Sequence, residues 1–139
     1  MEIETLTKNQ IYSMHEIAFD NFGGNPAQDE CTEGKIESIL SQQYDFFGYE
    51  KYPSVFDKAA MLLYFLSKDH CFKDCNKRVA LYATVTFLDM NGYEPTFNNE
   101  EAEQFVYKIA ESQIKDLKRD NYIKSIAEII SENVQALDE

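Results

Sequence analysis

Residues 70–78 read HCFKDCNKR, and this short polar stretch separates the two most apolar segments of the chain. The segment before it runs from Val55 to Asp69 and is apolar on most sides, and so is the segment from Asn76 to Met90. A helix that is apolar nearly all round is a buried one. The sequence therefore predicts two central buried helices joined by a polar loop.

Helix-capping signals delimit both of these segments. Ser54 begins the first one, with Asp57 three residues later as its capping-box partner,. Asn91 and Gly92 follow the second, and glycine favours the left-handed conformation that ends a helix,.

Four further helices are expected around this central pair. The first runs from about Thr7 to Phe22, with a capping box from Thr7 to Gln10, and buries one face that comprises Ile11, Met14, Ile17, Ala18 and Phe22,. A shorter helix covers about Glu33 to Gln42 and turns Ile36, Ile39 and Leu40 inward,. Of the last two helices, one begins at an Asn98 cap and the other covers about Asp120 to Leu137,.

Little extended structure is expected. Only Thr96 and Phe97 hint at it outside the aromatic segment described next. We therefore predict an all-α fold, and a chain of 139 residues with no linker-like stretch is expected to form a single domain over residues 1–139,.

Residues 44–53 carry five aromatic side chains without a helical period. This pattern predicts an extended segment or hairpin at the surface. Two interpretations remain open here: the rings pack onto the core, or the segment presents a strand edge that a partner chain could extend.

The charge balance limits the partners of the protein. The 25 Asp and Glu outnumber the 13 Lys and Arg, for a formal net charge of −12. Such a surface repels phosphate backbones and anionic lipids, so we expect no nucleic-acid and no membrane binding. Expected partners are basic proteins, or small molecules held at a local basic patch. The three cysteines, with neither a signal peptide nor a membrane span, predict a reduced, cytoplasmic protein,.

The polar stretch combines three groups that phosphate chemistry uses. His70 can accept a proton from a hydroxyl group, as imidazole does near neutral pH. Asp74 offers hard carboxylate oxygens that suit Mg²⁺. Asn76, Lys77 and Arg78 open the following helix, where free backbone N–H groups attract anions,. Together they indicate phosphoryl or nucleotidyl transfer.

Two other interpretations of these residues stay open from the sequence. A histidine near a helix end and an Asn-Lys-Arg triplet can both be structural. Alternatively, His70, Cys71, Asp74 and Cys75 could ligate a transition metal, although successive loop residues rarely converge tetrahedrally. His15 could complete such a set only through the tertiary fold.

The polar stretch resembles the signature of the Fic/Doc family, His-x-Phe-x-(Asp/Glu)-x-Asn-(Gly/Lys)-Arg. It matches at His70, Phe72, Asp74, Asn76, Lys77 and Arg78. The resemblance extends to residues 56–60 (FDKAA), to residues 87–93 (FLDMNGY), and upstream to His15 and residues 23–26 (GGNP). It implies a Fic/Doc-like helical bundle, with the central helices flanking the active-site loop.

The short chain and the Asn-Lys-Arg form are most similar to Doc-type toxins of toxin–antitoxin pairs. That resemblance implies a toxin kinase that transfers the γ-phosphoryl group of Mg-ATP to a Thr or Ser hydroxyl of a target, such as a translation factor. His70 would be the general base and Asp74 the Mg²⁺ ligand. Asn76, Lys77 and Arg78 would bind the phosphates.

The resemblance also assigns two supporting roles. Phe72 would anchor the loop in the core. Residues 44–52 would be the flap, in which Phe46, Phe47, Gly48 and Tyr49 bind the extended target chain.

AMP-transferring members of the family carry the motif His-Pro-Phe-x-x-Gly-Asn-Gly-Arg-x-x-Arg. This sequence resembles that motif but departs from it at four positions, Cys71, Cys75, Lys77 and Leu81. Lys77 occupies the place of a glycine that makes room for the diphosphate, and Leu81 replaces the arginine that grips the γ-phosphate. The alternatives are a protein adenylyltransferase and a catalytically idle interaction module, and the intact His70 and Asp74 argue against the latter. Cys75 could make the site sensitive to oxidation.

Self-inhibited members of the family carry a (Ser/Thr)-x-x-x-Glu-(Gly/Asn) motif. Glu33 is preceded by Asp29 and Glu132 by Glu128, so neither fits it. The resemblance therefore implies control by a separate antitoxin that binds the helical body.

Overall fold

The structure, a computed structural model, describes residues 2–24 and 31–137, and this part of the chain contains six helices and a small sheet. In chain order the elements are α1 (Lys8–Phe22), α2 (Thr32–Ser41), α3 (Val55–Lys68), α4 (Asn76–Met90), β1 (Tyr93–Pro95), α5 (Asn99–Glu111), α6 (Asp116–Glu132) and β2 (Val134–Ala136). Asn25 and Pro26, which contribute to the family resemblance, lie outside the described residues.

Helices α3 and α4 form the centre of the bundle, and the all-α prediction is confirmed. Nine residues of α3 are buried, and α4 buries six, among them Val79, Ala83 and Phe87. The capping box at the start of α3 is present, since the backbone N–H of Asp57 donates to Ser54 Oγ at 3.0 Å. The polar loop between the two helices, residues 69–75, is hereafter the junction loop.

Helix α1 begins and ends where its capping signals predict. Thr7 and Gln10 form the capping box, and the backbone N–H of Gly23 donates to the carbonyl of Phe19 at 2.8 Å. The predicted buried face is only partly right. Ile17 lies off the buried stripe and Phe22 lies at the helix end, so both side chains are about half exposed. The stripe instead comprises Ile11, Met14, His15 and Ala18.

The last third of the chain differs from the prediction. Helix α6 begins at Asp116 and ends at Glu132, and the residues after it do not continue the helix. They form β2, which pairs antiparallel with β1 so that Glu94 lies opposite Gln135. The extended residues are thus 93–95 rather than 96–97. A pairing between segments about 40 residues apart depends on tertiary contacts, which a local pattern does not reveal.

Residues 44–53 form a tight hairpin. Phe46 and Tyr49 exchange backbone hydrogen bonds of 2.8 and 3.0 Å, and Phe47 and Gly48 between them both have positive φ, as in the primed turns of hairpins,. The side chains of Phe46, Phe47 and Tyr49 are 74%, 94% and 69% exposed. The interpretation that these rings pack onto the core is therefore wrong, and only Tyr52 is buried.

No helix within residues 2–24 and 31–137 has both the length and the apolar character needed to cross a membrane.

Candidate active site

A cleft of about 470 Å³ opens over the junction loop and the start of α4. Of the residues predicted to act in catalysis and binding, His70, Asp74, Asn76, Lys77 and Arg78 all line it. Its remaining walls come from the end of α1, with Phe22 and Gly24, and from the end of α5, with Glu111. The fold thus brings together residues that the sequence grouped in one stretch with residues from two distant helices.

His70 follows the end of α3 in a left-handed conformation, with φ of 50°. This conformation is unusual for a residue with a side chain and costs of order 1 kcal/mol. The carbonyl of His70 accepts a hydrogen bond of 3.2 Å from Lys35 Nζ on α2. The imidazole itself is exposed at the cleft and therefore accessible to a substrate hydroxyl.

Asn76 closes the junction loop upon itself. Its side-chain nitrogen donates to the carbonyl of Phe72 at 2.8 Å, and its side-chain oxygen accepts from the backbone N–H of Phe72 at 3.0 Å. Both ends of the amide are therefore engaged within the loop. A contribution of Asn76 to phosphate binding would come from its backbone N–H, which opens α4,.

Phe72 points into the core and meets a residue that the sequence did not assign to the site. Its side chain is 2% exposed, and its ring is stacked on that of His15, with centroids 3.9 Å apart and an interplanar angle of 5°. Tyr12 packs edge-on against the same ring at 6.1 Å. In the sequence, His15 was noted only upstream in the family resemblance and as a possible fourth ligand of a metal set.

His15 lies beneath the junction loop and is 5% exposed. Burial lowers the pKa of His15 below the ordinary histidine value, although a hydrogen bond to the backbone of Asp74 opposes this shift. Its Nε2 atom has no hydrogen-bond partner among the described residues. His15 therefore supports the loop from below as a neutral ring.

Asp74 lies two residues before the start of α4 and lines the cleft. Its Oδ1 accepts from the backbone N–H of Cys75 at 2.8 Å. A Cβ atom at Gly24 would lie 2.6 Å from Asp74 Oδ2, and Gly24 has a φ of +110°. The conformation at position 24 therefore favours glycine, and a side chain there would also displace the Asp74 carboxylate,.

This donor set fits Mg²⁺. In proteins Mg²⁺ is commonly held by one or two carboxylates together with substrate phosphates, and the Asp74 carboxylate at the edge of a basic cleft is a donor of that kind,. A transition-metal site is not supported, since no three His, Cys, Asp or Glu side chains in the described ranges group as ligands. Cys71 is 1% exposed in the core, and the Cys75 thiol donates to the carbonyl of Gly23 at 3.4 Å.

Cys75 caps α4 in a left-handed conformation, with φ of 68° and ψ of 16°. Glycine is the residue that adopts this conformation at least cost. Burial, and secondarily the charge of Asp74, raises the pKa of the Cys75 thiol. The thiolate is the reactive form, so a raised pKa lowers its fraction, and the oxidation sensitivity of Cys75 stays a prediction,.

Arg78 contacts two side chains at the wall of the cleft. Its guanidinium carbon lies 3.4 Å from the centroid of the Phe22 ring, and its Nη1 is 3.7 Å from Glu103 Oε1. Lys77 extends toward α5, with Nζ 5.7 Å from the centroid of the Tyr107 ring. No sequence pattern placed Phe22, Glu103 or Tyr107 at the candidate site, because only tertiary packing brings them to α4.

The cleft is locally basic on an acidic protein. Lys73, Lys77 and Arg78 line it, and the first turn of α4 adds backbone N–H groups and the positive end of the helix dipole,. Among the described residues of the lining, the opposing charges are Asp74 and Glu111. The cations are thus locally concentrated on a protein whose net charge is −12, and this local charge is of the sign that suits an anionic ligand,.

The flap is not part of this cleft. None of the described residues from 44 to 53 is among those that line it. The hairpin is fastened elsewhere: Lys58 on α3 is 2% exposed, and its Nζ donates to Glu50 Oε1 at 2.6 Å and to the carbonyl of Tyr52 at 2.5 Å. Sequence reasoning missed Lys58, which lies in an otherwise apolar run.

Comparison with known proteins agrees with this geometry. A model of the Fic/DOC family matches residues 5–88, which include the junction loop and nearly all of α4. The chain is 27% identical over 89 residues to the protein kinase doc of Escherichia phage P1, across 64% of this chain and 69% of that protein. It is 36% identical over 110 residues to the toxin Doc of Mycolicibacterium smegmatis, across 77% and 81% of the two chains.

Proposed function

The chain belongs to the Fic/DOC family, and on this premise we propose that it is a Doc-like toxin kinase. It would transfer the γ-phosphoryl group of Mg-ATP to a Thr or Ser hydroxyl of a target protein, with a translation factor as the proposed target. The observation that carries the proposal is the cleft itself, in which His70 and Asp74 face the cationic first turn of α4. One relative, 27% identical over 89 residues, is named a protein kinase.

The phosphates would bind at the start of α4. The backbone N–H groups there, together with Lys77 and Arg78, provide hydrogen bonds and charge to the phosphate oxygens,. Arg78 is already oriented by Phe22 and Glu103, so little conformational entropy is lost when it binds,. Asp74 would hold Mg²⁺, which when bound neutralises charge on the phosphates.

His70 would act on the acceptor hydroxyl. Its imidazole accepts the hydroxyl proton while the hydroxyl oxygen forms its bond to the γ-phosphorus. The bond between that phosphorus and the bridging oxygen breaks, and ADP leaves. Phe72, stacked on His15, and Asn76, bonded to the Phe72 backbone, hold the loop that carries His70.

The principal alternative is transfer of AMP rather than of the terminal phosphoryl group. AMP transfer requires space and charge for the leaving diphosphate. Lys77 takes the space that a glycine would leave, and Leu81 offers no charge one turn further along α4. These residues favour the kinase.

The choice between the two reactions is tested with labelled nucleotide. The purified protein is incubated with a cell lysate and Mg²⁺, and with ATP labelled at either the γ or the α phosphate. Protein-bound label from the γ position alone is expected. Label from the α position alone would mean AMP transfer, and no label from either would argue for an idle module. His70→Ala should abolish the signal, and a signal that survives would remove His70 from the chemistry.

We also propose that a separate antitoxin controls the activity. A relative at 36% identity is named as a toxin, and neither Glu33 nor Glu132 completes the self-inhibitory motif. Co-purification with the product of a neighbouring gene, with loss of label transfer, is the expected result. Full activity in the presence of that product would contradict this proposal.

A further inference from the structure

His70 turns away from α3 in a conformation that needs support. Asp69 caps α3, with its backbone N–H donating to the carbonyl of Phe65 at 2.9 Å, and His70 follows with a φ of 50°. A left-handed residue that carries a Cβ atom persists only where its surroundings hold it. Because the backbone conformation limits the directions open to a side chain, the contact that holds this turn also sets where the imidazole lies.

The support comes from a different helix. Lys35 on α2 donates from Nζ to the carbonyl of His70 at 3.2 Å, and in residues 2–24 and 31–137 no other hydrogen bond reaches the His70 backbone. The same ammonium acts on Asp69: partial burial raises the pKa of Asp69, and the charge of Lys35 is the largest of the charges that oppose this rise. Lys35 thus contacts one residue of the turn by a hydrogen bond and influences the other through its charge.

The base of the Lys35 side chain is fixed by packing. Helix α2 packs against α3, and Thr32 and Ile36, on either side of Lys35, are 1% and 0% exposed. Lys35 itself is half-buried. A lysine of this kind has less conformational entropy to lose than a fully exposed one when its ammonium is held.

We propose that Lys35 is a positioning residue, which holds the left-handed turn at His70 and so fixes the imidazole at the cleft. The inference rests on the proposed function, in which His70 accepts the hydroxyl proton. The described residues that line the cleft include His70 but not Lys35, so the effect of Lys35 on transfer passes through His70.

Histidine NMR tests the positioning without relying on activity. The chain contains two histidines, so full-length protein labelled with carbon-13 in its histidine rings gives the signals of His15 and His70 alone, and His70→Ala assigns them. Lys35→Met retains most of the side-chain stem but removes the donor and the charge. It should shift or broaden the ring signals of His70 and leave those of His15 unchanged.

Kinetics test the consequence for transfer. The rate of γ-label transfer to protein in a fixed amount of lysate is measured over a range of Mg-ATP concentrations. Lys35→Met should lower the maximal rate about fivefold, the factor that corresponds to the cost of one left-handed residue. It should change the KM for ATP by less than about twofold, because Lys35 does not line the cleft,.

Two variants complete the comparison. Lys35→Arg keeps both donor and charge, so it should keep the His70 signals and at least about half of the wild-type rate. Lys8→Met removes the same charge from a lysine whose ion pairs are with Glu33 and Glu37 on α2, and it should change neither measurement.

The possible results separate this inference from the proposed function. If Lys35→Met leaves either the His70 signals or the rate unchanged, the positioning role is refuted and the kinase proposal stands. A change in the His15 signals as well, or an equal loss in Lys35→Arg, would also refute it. If wild type transfers no γ-label, both proposals fail.

Discussion

The ion pair between the buried Lys58 and the partly exposed Glu50 allows a sharp test of how the hairpin of residues 44–53 is held. The two charges are unequally exposed: the Lys58 side chain is 2% exposed and that of Glu50 is 42% exposed. Removing one member of a pair is costly chiefly when it leaves the other as an uncompensated buried charge. We therefore expect the two single substitutions to have unequal effects, although each removes the same ion pair, whose atoms lie 2.6 Å apart.

Lys58→Met removes the buried charge and leaves Glu50 free to be hydrated. It loses the charged hydrogen bonds to Glu50 and to the carbonyl of Tyr52, while the methionine retains most of the packing. We expect a loss of about 2 kcal/mol in the free energy of unfolding, in the range of hydrogen bonds to charged groups.

Glu50→Gln leaves the Lys58 ammonium buried without a counter-charge. We expect this substitution to cost about 3 kcal/mol, at the low end of the values for breaking a buried pair, because the amide oxygen can still accept a hydrogen bond. In the double variant no charge is left buried, so its stability should equal that of Lys58→Met.

Urea unfolding followed by far-ultraviolet circular dichroism measures all four proteins, and the absence of Trp makes this signal preferable to fluorescence. The double-mutant cycle isolates the pairwise contribution. If Lys58→Met is the more destabilising single substitution, or if the two effects simply add, the reasoning from unequal exposure is refuted.

Two further predictions concern the support of the junction loop. Cys75 has a left-handed φ of 68°, so Cys75→Gly should be more stable than Cys75→Ala by about 1 kcal/mol in urea unfolding, and the reverse order would contradict the strain,. Burial lowers the pKa of His15 in the folded protein, so on acidification the unfolded chain takes up the proton first. The stability contributed by the neutral ring is therefore complete above the ordinary histidine pKa of about 6.5 and declines as the pH falls below it. His15→Phe keeps a ring against Phe72 but cannot take up a proton, so it should lose less stability than wild type between pH 7.5 and 5.5,. The loss is measured for each protein as the difference between its urea midpoints at the two pH values. Equal losses would show that His15 is not the titrating group.

Much of the bundle could be predicted because its signals are local. The boxes at Thr7, Ser54 and Asn98 need only residues three positions apart, and all three are present. The burial of α3 and α4 follows from their continuous apolar surface. By contrast, β1 and β2 could not be predicted, since each is three residues long and gains its hydrogen bonds only from the other.

The candidate site divides in the same way. The sequence by itself determined the grouping of His70, Asp74 and the cations Lys77 and Arg78, because all lie in one loop and the helix turn after it. The tertiary structure alone decided what surrounds them.

Packing of α1 against α4 places Phe22 on Arg78, and packing of α5 against α4 places Glu103 beside the same guanidinium. Folding also buries His15 under Phe72. These contacts join residues more than 20 positions apart in the chain, and side-chain contacts of that kind exist only once the helices are packed. The sequence thus specified the chemical groups, and the packing of the helices specified how they are held.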